Sequence, residues 1–452
     1  MPTLSRRSLL ATPLLSALAQ TERKPNVLFI AADDMNTALG CYGHPLVKTP
    51  NIDGLARRGV RFHRAYCQFP LCGPSRASLL TGLRPDTTHV LGNNIDFRDL
   101  LPNAVTLPQH FKNNGWHAAR EGKMFHMNVP PEVTLNRFQD ERSWHQSASP
   151  GGPEAKSEGT RSTGGLQWVQ TANGEGQSDT NAADRALAVL EQRKSEPFFL
   201  GLGFLRPHLP FVAPSRFFDL YPLDTITLAQ NPPDDLDDIP AAAQAIRPNI
   251  WRHHKMNEQQ QREARRGYYA STSFMDEQVG RVLTGLDRLG LRDNTIVVFW
   301  GDHGWSLGEH THWQKMSLME EVARVPLIVA APGRKGNGKA ANGLVEFVDL
   351  YPTLCELCRL PPPEGLAGKN LTSLLDDPSR SFKQAAYTQI TLDGITGRSV
   401  RTDRYRYTRW EGHGGGEELY DHQTDPGEFT NLANKPAAAK ALATHRALLP
   451  RQ

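Results

Sequence analysis

Leu71-Cys72-Gly73-Pro74-Ser75-Arg76-Ala77-Ser78-Leu79-Leu80-Thr81-Gly82 sets a single thiol on a Gly-Pro turn ahead of an apolar run. Pro74 fixes its own φ and suits the first turn of a helix, where a missing donor costs nothing. The unpaired amides of that turn then face whatever anion lies beside Cys72. Arg76, two residues beyond the proline, adds a planar fork of donors for a tetrahedral oxyanion. Local chemistry leaves two readings of Cys72 open. It is either a nucleophile at a helix N-terminus or a small buried thiol in a turn before a core helix.

Upstream of this stretch, Asn26-Val27-Leu28-Phe29-Ile30-Ala31-Ala32 is a short apolar run that stops abruptly at Asp33-Asp34. A buried parallel strand reads this way, and ligands in open α/β sheets gather at strand carboxyl ends. Adjacent carboxylates repel unless a cation or water separates them, so a divalent metal is one reading and an acidic helix-capping turn the other. Downstream, Asn294 to Trp300 repeats the apolar pattern and delivers Gly301-Asp302-His303-Gly304, which can complete a metal site begun by Asp33 and Asp34. Gly122-Lys123-Met124-Phe125-His126 follows a predicted strand. Lys123 and His126 can both reach one anion, as point charge and proton carrier, or stand as a surface Lys and a core His. Pro197 to Phe204 predicts a further buried strand. It leads into Arg206-Pro207-His208-Leu209-Pro210-Phe211, where two prolines hold His208 rigidly.

The 452 residues exceed what one hydrophobic core usually serves, and a formal net charge of +3 is too small to argue for nucleic acid. Five cysteines (41, 67, 72, 355 and 358) make no disulfide framework in a chain of this length. Cys355 and Cys358, in an apolar helical pattern without a second pair, read as buried thiols rather than a zinc site. Arg6-Arg7 ahead of a short apolar run ending at Ala17-Leu18-Ala19 reads as a signal peptide over residues 1–20, the alternative being a disordered basic tail on a cytoplasmic protein. The arginine pair suggests the twin-Arg route, and export to the periplasm or beyond is the expectation. That run is too short to span a bilayer and no later stretch reaches the length, so no membrane span is expected. Residues 146 to 180 read as an insertion or long loop, and residues 222 to 250 as a Pro- and Asp-rich surface excursion. Glu258 to Leu289 predicts a long helix. After Gly368-Lys369-Asn370-Leu371 short alternating runs predict a small antiparallel sheet, so the division is 21–378 and 379–452.

The whole string C-x-P-S-R-x-x-x-L-T-G, carried by Cys72, Pro74, Ser75, Arg76, Leu80, Thr81 and Gly82, resembles the activation signature of type I sulfatases. D-H-G-x-x-L-G-E-H from Asp302 to His310 is similar to the family's second signature. Together with G-C-Y-G, G-K-x-F-H, P-H-x-P-F and R-x-x-x-Y-R-Y-T-x-W, the likeness is nearest to iduronate-2-sulfatases. The resemblance implies an alkaline-phosphatase-like α/β fold, with a large sheet between helices and a smaller C-terminal sheet subdomain. It implies that Cys72 is oxidised to formylglycine by a formylglycine-generating enzyme. Once hydrated, that group would act as nucleophile and metal ligand, and its second hydroxyl would expel sulfate where a serine would stay esterified. By the same resemblance Asp33, Asp34, Asp302 and His303 hold calcium, with His303 standing where many relatives have Asn. Arg76 then orients the nucleophile and, with Lys123 and Lys315, neutralises sulfate oxygens, His126 is the base for elimination, and His208 or Lys315 helps the leaving oxygen. A solvated loop Lys is the alternative for Lys315, and a structural His in a Pro-rich turn the alternative for His208. Trp305 and Arg401 stand where they would line a sugar subsite, or else are a core Trp and a surface Arg. Leu344 to Leu354 resembles the family's late helix. The implied substrate is a sulfated uronic acid of a polysaccharide, with a 2-O-sulfate expected. A phosphonate or phosphate monoester hydrolase and a glycan-binding module with an unconverted thiol are the competing readings.

Overall fold

Strand Asn26–Asp33 is apolar on both sides because it lies inside a nine-stranded mixed sheet covered on both faces. The computed structural model describes residues 23–126, 138–153, 160–161, 166–250 and 256–449. Val27, Phe29 and Ala31 enter one core, and Leu28, Ile30 and Ala32 the other, as the two-residue period of a strand demands. Each fully buried Leu or Phe among them contributes about 1.5–3 kcal/mol relative to exposure. Helices Cys72–Thr81, Leu107–Asn113 and Leu350–Leu357 supply apolar side chains to the first core. Helices Ser178–Arg193 and Glu258–Arg288 supply the second. The longer of these starts at Asn257, whose side chain accepts the Gln260 amide while the Gln260 side chain returns to the Asn257 amide.

Strand Asn26–Asp33 pairs in parallel with Phe198–Pro207 on one side and Thr295–Gly301 on the other. His117–Gly122 adds in parallel beyond Phe198–Pro207. The carboxyl ends of four strands therefore open at one edge of the sheet. Gly122 (φ 80°) and Gly203 make the close approach needed there. A Cβ on Gly122 would lie 2.0 Å from the Gly203 carbonyl oxygen, and one on Gly203 would lie 1.8 Å from that of Lys123.

The fold differs from the sequence reading in two places. Residues 146–180 are not one loop. Gln146–Ala148 joins the free edge of His117–Gly122, Gln167–Thr171 pairs with Phe211–Pro214, and a helix begins at Ser178. Leu344 to Leu354 is not one helix. Ala340–Glu346 is a strand parallel to Val60–Tyr66, and only after a 3-10 turn does helix Leu350–Leu357 begin. An unpaired strand edge decides both cases, which local periodicity does not register. The C-terminal sheet comprises four antiparallel strands in sequential order, Ala386–Leu392, Ile395–Arg401, Tyr405–Glu411 and Gly416–Asp421. Cys355 and Cys358 are free and buried. The signal-peptide expectation for residues 1–20 lies outside the described residues. Among those described, no helix is long and apolar enough to cross a membrane.

Candidate active site

The open sheet edge gathers the strand-end residues on which the sequence reading rests. Asp33 and Asp302 are fully buried, and Arg76 spans them, with Nε 2.8 Å from Asp302 Oδ2 and Nη2 3.2 Å from Asp33 Oδ1. Asp34 turns back in the left-handed region at φ 59°, a conformation costly for a residue with a side chain. It is held on both sides. Its amide donates to Asp302 Oδ1 (3.0 Å), and its carbonyl accepts the Tyr268 hydroxyl (2.8 Å). Ser75 Oγ donates to the Asp302 carbonyl at 2.5 Å, tying the Cys72 helix to the same strand end.

Cys72 is the first residue of helix Cys72–Thr81 and is completely buried. Its Sγ lies 3.2 Å from Lys315 Nζ, 3.3 Å from His303 Nε2 and 3.9 Å from Asp34 Oδ1. His303 Nδ1 faces the Gly304 carbonyl at 2.9 Å, which points Nε2 toward the sulfur and Asp34. Lys315 Nζ also reaches Asp34 Oδ1, and Lys123 Nζ reaches Asp33 Oδ2, each at 2.7 Å. His208 lies between two cis prolyl bonds, with Nε2 3.6 Å from Asp34 Oδ2. His126 is nearly buried at the end of the stretch that follows His117–Gly122.

The charges in this cluster govern one another. Burial alone would raise the Cys72 thiol, but Lys123 and Lys315 outweigh it and hold it below its ordinary value. Burial would likewise raise Asp33, yet Lys123, His208 and Arg76 keep it well below the carboxylate range. Asp34 goes the other way. Burial raises it to about 8, with Cys72 adding and Lys315 only partly offsetting. His303 is lowered by burial but raised more by Asp302 and Cys72, to about 9. Burial, then Lys315, hold His208 well below its usual range, so its imidazole is neutral near pH 7.

The arrangement suits a hard cation. Asp33, Asp34 and Asp302 each offer one oxygen, all within 4.8 Å of one another, and Asp34, Cys72 and His303 form an overlapping group. Among the described residues Asp34 Oδ2 has no hydrogen-bond partner and is buried, the state expected of an oxygen kept for an ion. Another group of possible ligands, Glu320, His422 and Glu428, is different in kind. Arg406 Nε sits 2.6 Å from Glu428 Oε1, its Nη2 pairs with Glu320, and Glu428 Oε2 accepts the Glu320 amide at 2.7 Å. That network already holds its own cation and joins the C-terminal sheet to the helical turn at residue 320.

Three expectations change in detail. In the first helical turn the amides of Gly73 and Ser75 are not open to an anion, since Gly73 N donates to Asn93 Oδ1 and Ser75 N to the Leu71 carbonyl, and Pro74 has none. Arg76 does not face outward to an oxyanion, because four of its five donors go to Asp33, Asp302 and the carbonyls of Lys123 and Met124. Trp305 and Arg401 do not present open faces to a sugar. Trp305 is 1% exposed, packed on Phe211 beneath the Lys315 ammonium, and Arg401 pairs with Glu320 at 3.3 Å. Tyr268 is the residue whose role at the site was not anticipated. It lies on the buried face of helix Glu258–Arg288, where sequence pattern does not distinguish a site role from packing.

The "Sulfatase" family model matches residues 25–359, and the model for the C-terminal part of N-sulphoglucosamine sulphohydrolase matches residues 308–451. A sulfatase of Formosa agariphila is 36% identical, covering 95% of this chain and 87% of its own length. Iduronate 2-sulfatase of Homo sapiens is 34% identical, covering 90% and 91%. The solved structure of a 2-O GAG sulfatase superposes with a TM-score of 0.75 at 29% identity, covering 94% of this chain and 91% of that one. These neighbours share the alkaline-phosphatase-like fold, with its large mixed sheet and separate small antiparallel sheet. The likeness that begins at Cys72 thus runs through almost the entire chain, and it makes this protein a member of the sulfatase family, an enzyme that hydrolyses sulfate esters.

Proposed function

We propose that the sulfate ester belongs to a 2-O-sulfated uronic acid of a polysaccharide, and that the nucleophile is formylglycine derived from Cys72. The contact of Cys72 with Lys315, His303 and Asp34 carries this reading. Similarity to iduronate 2-sulfatase and to the 2-O GAG sulfatase supports the substrate. Calcium held by Asp33, Asp34, Asp302, His303 and the converted Cys72 would supply positive charge at the nucleophile and the transferring group. Conversion requires a formylglycine-generating enzyme. Export under the twin-Arg leader of residues 1–20 belongs to the same reading, as does a catalytic region over 21–378 followed by a C-terminal subdomain.

The chain's own residues divide the remaining work. Arg76 holds the Asp33 and Asp302 carboxylates in place from behind. Lys123 and Lys315 offset charge on the sulfate oxygens. Lys315 carries a firmly held proton, since burial, which would lower it, is outweighed by Asp34 and Cys72. His208 or Lys315 shares a proton with the leaving oxygen. His126 takes the proton in the elimination that frees sulfate.

The test is turnover of a 2-O-sulfated uronate disaccharide beside its 6-O-sulfated isomer, an aryl sulfate and an aryl phosphate. Release from the 2-O-sulfated sugar is expected to be fastest. Preference for the 6-O isomer would refute the substrate assignment, and faster cleavage of the phosphate ester would favour a phosphate or phosphonate monoester hydrolase.

A further inference from the structure

The Pro- and Asp-rich excursion of residues 222–250 holds no group of the reaction described above, yet it grips the loop that carries Lys315. That loop is strained. Of the twelve non-glycine residues with positive φ among the described ones, His310, Thr311, Gln314 and Met316 fall within seven positions of one another. Side chains in that region persist only where their surroundings over-determine them. Here the surroundings come from the excursion and from the long helix. Asp235 places Oδ1 and Oδ2 3.0 and 3.2 Å from His310 Nδ1, with both residues almost completely buried. Asn231 Oδ1 accepts the His310 amide at 2.9 Å, and Asn231 Nδ2 donates to the Gly308 carbonyl at 2.8 Å. Arg265 binds the Leu307 carbonyl and Glu309 at 2.8 and 2.7 Å. At the far end of the loop His312 Nε2 meets the Lys315 carbonyl at 3.0 Å, and the Met316 amide donates to the Pro70 carbonyl, two residues before Cys72.

We propose that Asp235 is a positioning residue of the sulfatase reaction, gripping His310 so that the strained loop delivers the Lys315 ammonium to Asp34 and Cys72. The buried ion pair at one end of the loop and the Lys315 contacts at the other are joined by the four residues 311–314, which have little freedom to absorb a shift. Loss of the carboxylate lets the loop relax toward ordinary backbone angles, and the ammonium leaves its place between sulfur and carboxylate. An ångström of misplacement at a reacting centre is worth about a hundredfold in rate. The excursion is thereby a working part of the site through its hold on the loop.

This inference rests on the reading of Lys315 as a group that meets the transferring sulfate, and a double-mutant cycle separates the two. Asp235→Ala and Asp235→Asn are made in the full-length chain, each with Lys315 present and with Lys315→Met, and assayed on an activated aryl sulfate. Asp235→Ala is expected to lower kcat about 30- to 100-fold with KM within about threefold. In the Lys315→Met background it should lower kcat by less than about threefold, since the group it positions is gone. Asp235→Asn, which keeps an acceptor for His310, should recover about half of the logarithmic loss. If Asp235→Ala does not fold, the asparagine variant is read by the same non-additivity. Asp276→Asn serves as the control, because Asp276 is an equally buried carboxylate that holds the start of helix Pro50–Ala56. It is expected to destabilise the protein with kcat unchanged. Equal losses with and without Lys315, or a matching loss of kcat in Asp276→Asn, would overturn the proposal. Native kcat in Lys315→Met would instead remove the reading of Lys315 and this inference with it.

Discussion

Replacing Arg76 by Met removes a cation from between two fully buried carboxylates while keeping much of the side-chain volume. Asp302 loses its 2.8 Å partner and keeps the amides of Asp34 and His303, whereas Asp33 keeps Lys123 at 2.7 Å. The loss is therefore counted once, as a buried carboxylate deprived of its cation, at about 3–5 kcal/mol. The carbonyls of Lys123 and Met124 lose donors at 2.7 and 3.2 Å, adding about 1–3 kcal/mol. The expected total of about 4–8 kcal/mol is a large part of the stability of an ordinary domain. Urea unfolding followed by tryptophan fluorescence measures it, with Arg216→Met for comparison. Arg216 pairs with Glu277 at the surface, with side chains 54% and 42% exposed, and its loss should cost less than about 1 kcal/mol. Arg76→Lys should recover only part of the stability, since one ammonium cannot span both carboxylates and both carbonyls. Millimolar calcium should stabilise Arg76→Met more than the native protein, because a cation bound to the folded state alone adds to its stability. A loss within about 1 kcal/mol for Arg76→Met would refute the reasoning that this guanidinium holds the site's carboxylates together.

His310 is lowered by burial but raised more by Asp235, with Glu321 and Glu428 contributing, from 6.5 to about 9. Its proton is held more tightly in the folded state, so about 3 kcal/mol of stability is whole below pH 6.5 and lost as pH rises through about 9. Asp235→Asn should flatten that limb of a stability–pH curve, and an unchanged limb would count against the pair. At the other end of the scale, burial would raise Glu428, but Arg406 and His422 bring it to about 2. Its contribution is present above about pH 4.5 and lost as pH falls toward 2, and Glu428→Gln should remove that acid limb, read by proteolysis of the C-terminal sheet. Trp305→Leu should cost about 2–4 kcal/mol through the cavity it leaves, with lower kcat from loss of the face beneath Lys315. Choice between 2-O- and 6-O-sulfated sugar should be unchanged, and a switch in that choice would restore Trp305 to a sugar subsite.

The convergence of the site was legible because its residues end parallel strands. An apolar run stopping at Asp33-Asp34 and another at Asp302-His303 can meet only at the carboxyl edge of one sheet, and the Cys72 turn marks the helix laid beside them. What partners each side chain finds was less legible. Arg76 looks the same in sequence whether its fork points to sulfate or to Asp33 and Asp302, and only the fold shows four donors already used. Trp305 and Arg401 were read from their place in a motif, while packing against Phe211 and pairing with Glu320 decide their exposure. Gln146–Ala148 is too short to carry a strand signature and exists because His117–Gly122 leaves an edge open. Asp235 lay in a stretch whose composition signalled a surface excursion, although its carboxylate is buried against His310.

The central claim is that Cys72 is the precursor of the nucleophile, and mass spectrometry of its tryptic peptide tests it most directly. Protein made in a host with a formylglycine-generating enzyme, and assayed in the same preparation, is expected to carry an aldehyde at position 72 that a hydrazide probe captures. Activity should rise in proportion to the aldehyde fraction. Full sulfate-ester turnover by protein whose Cys72 is entirely an intact thiol would contradict the account.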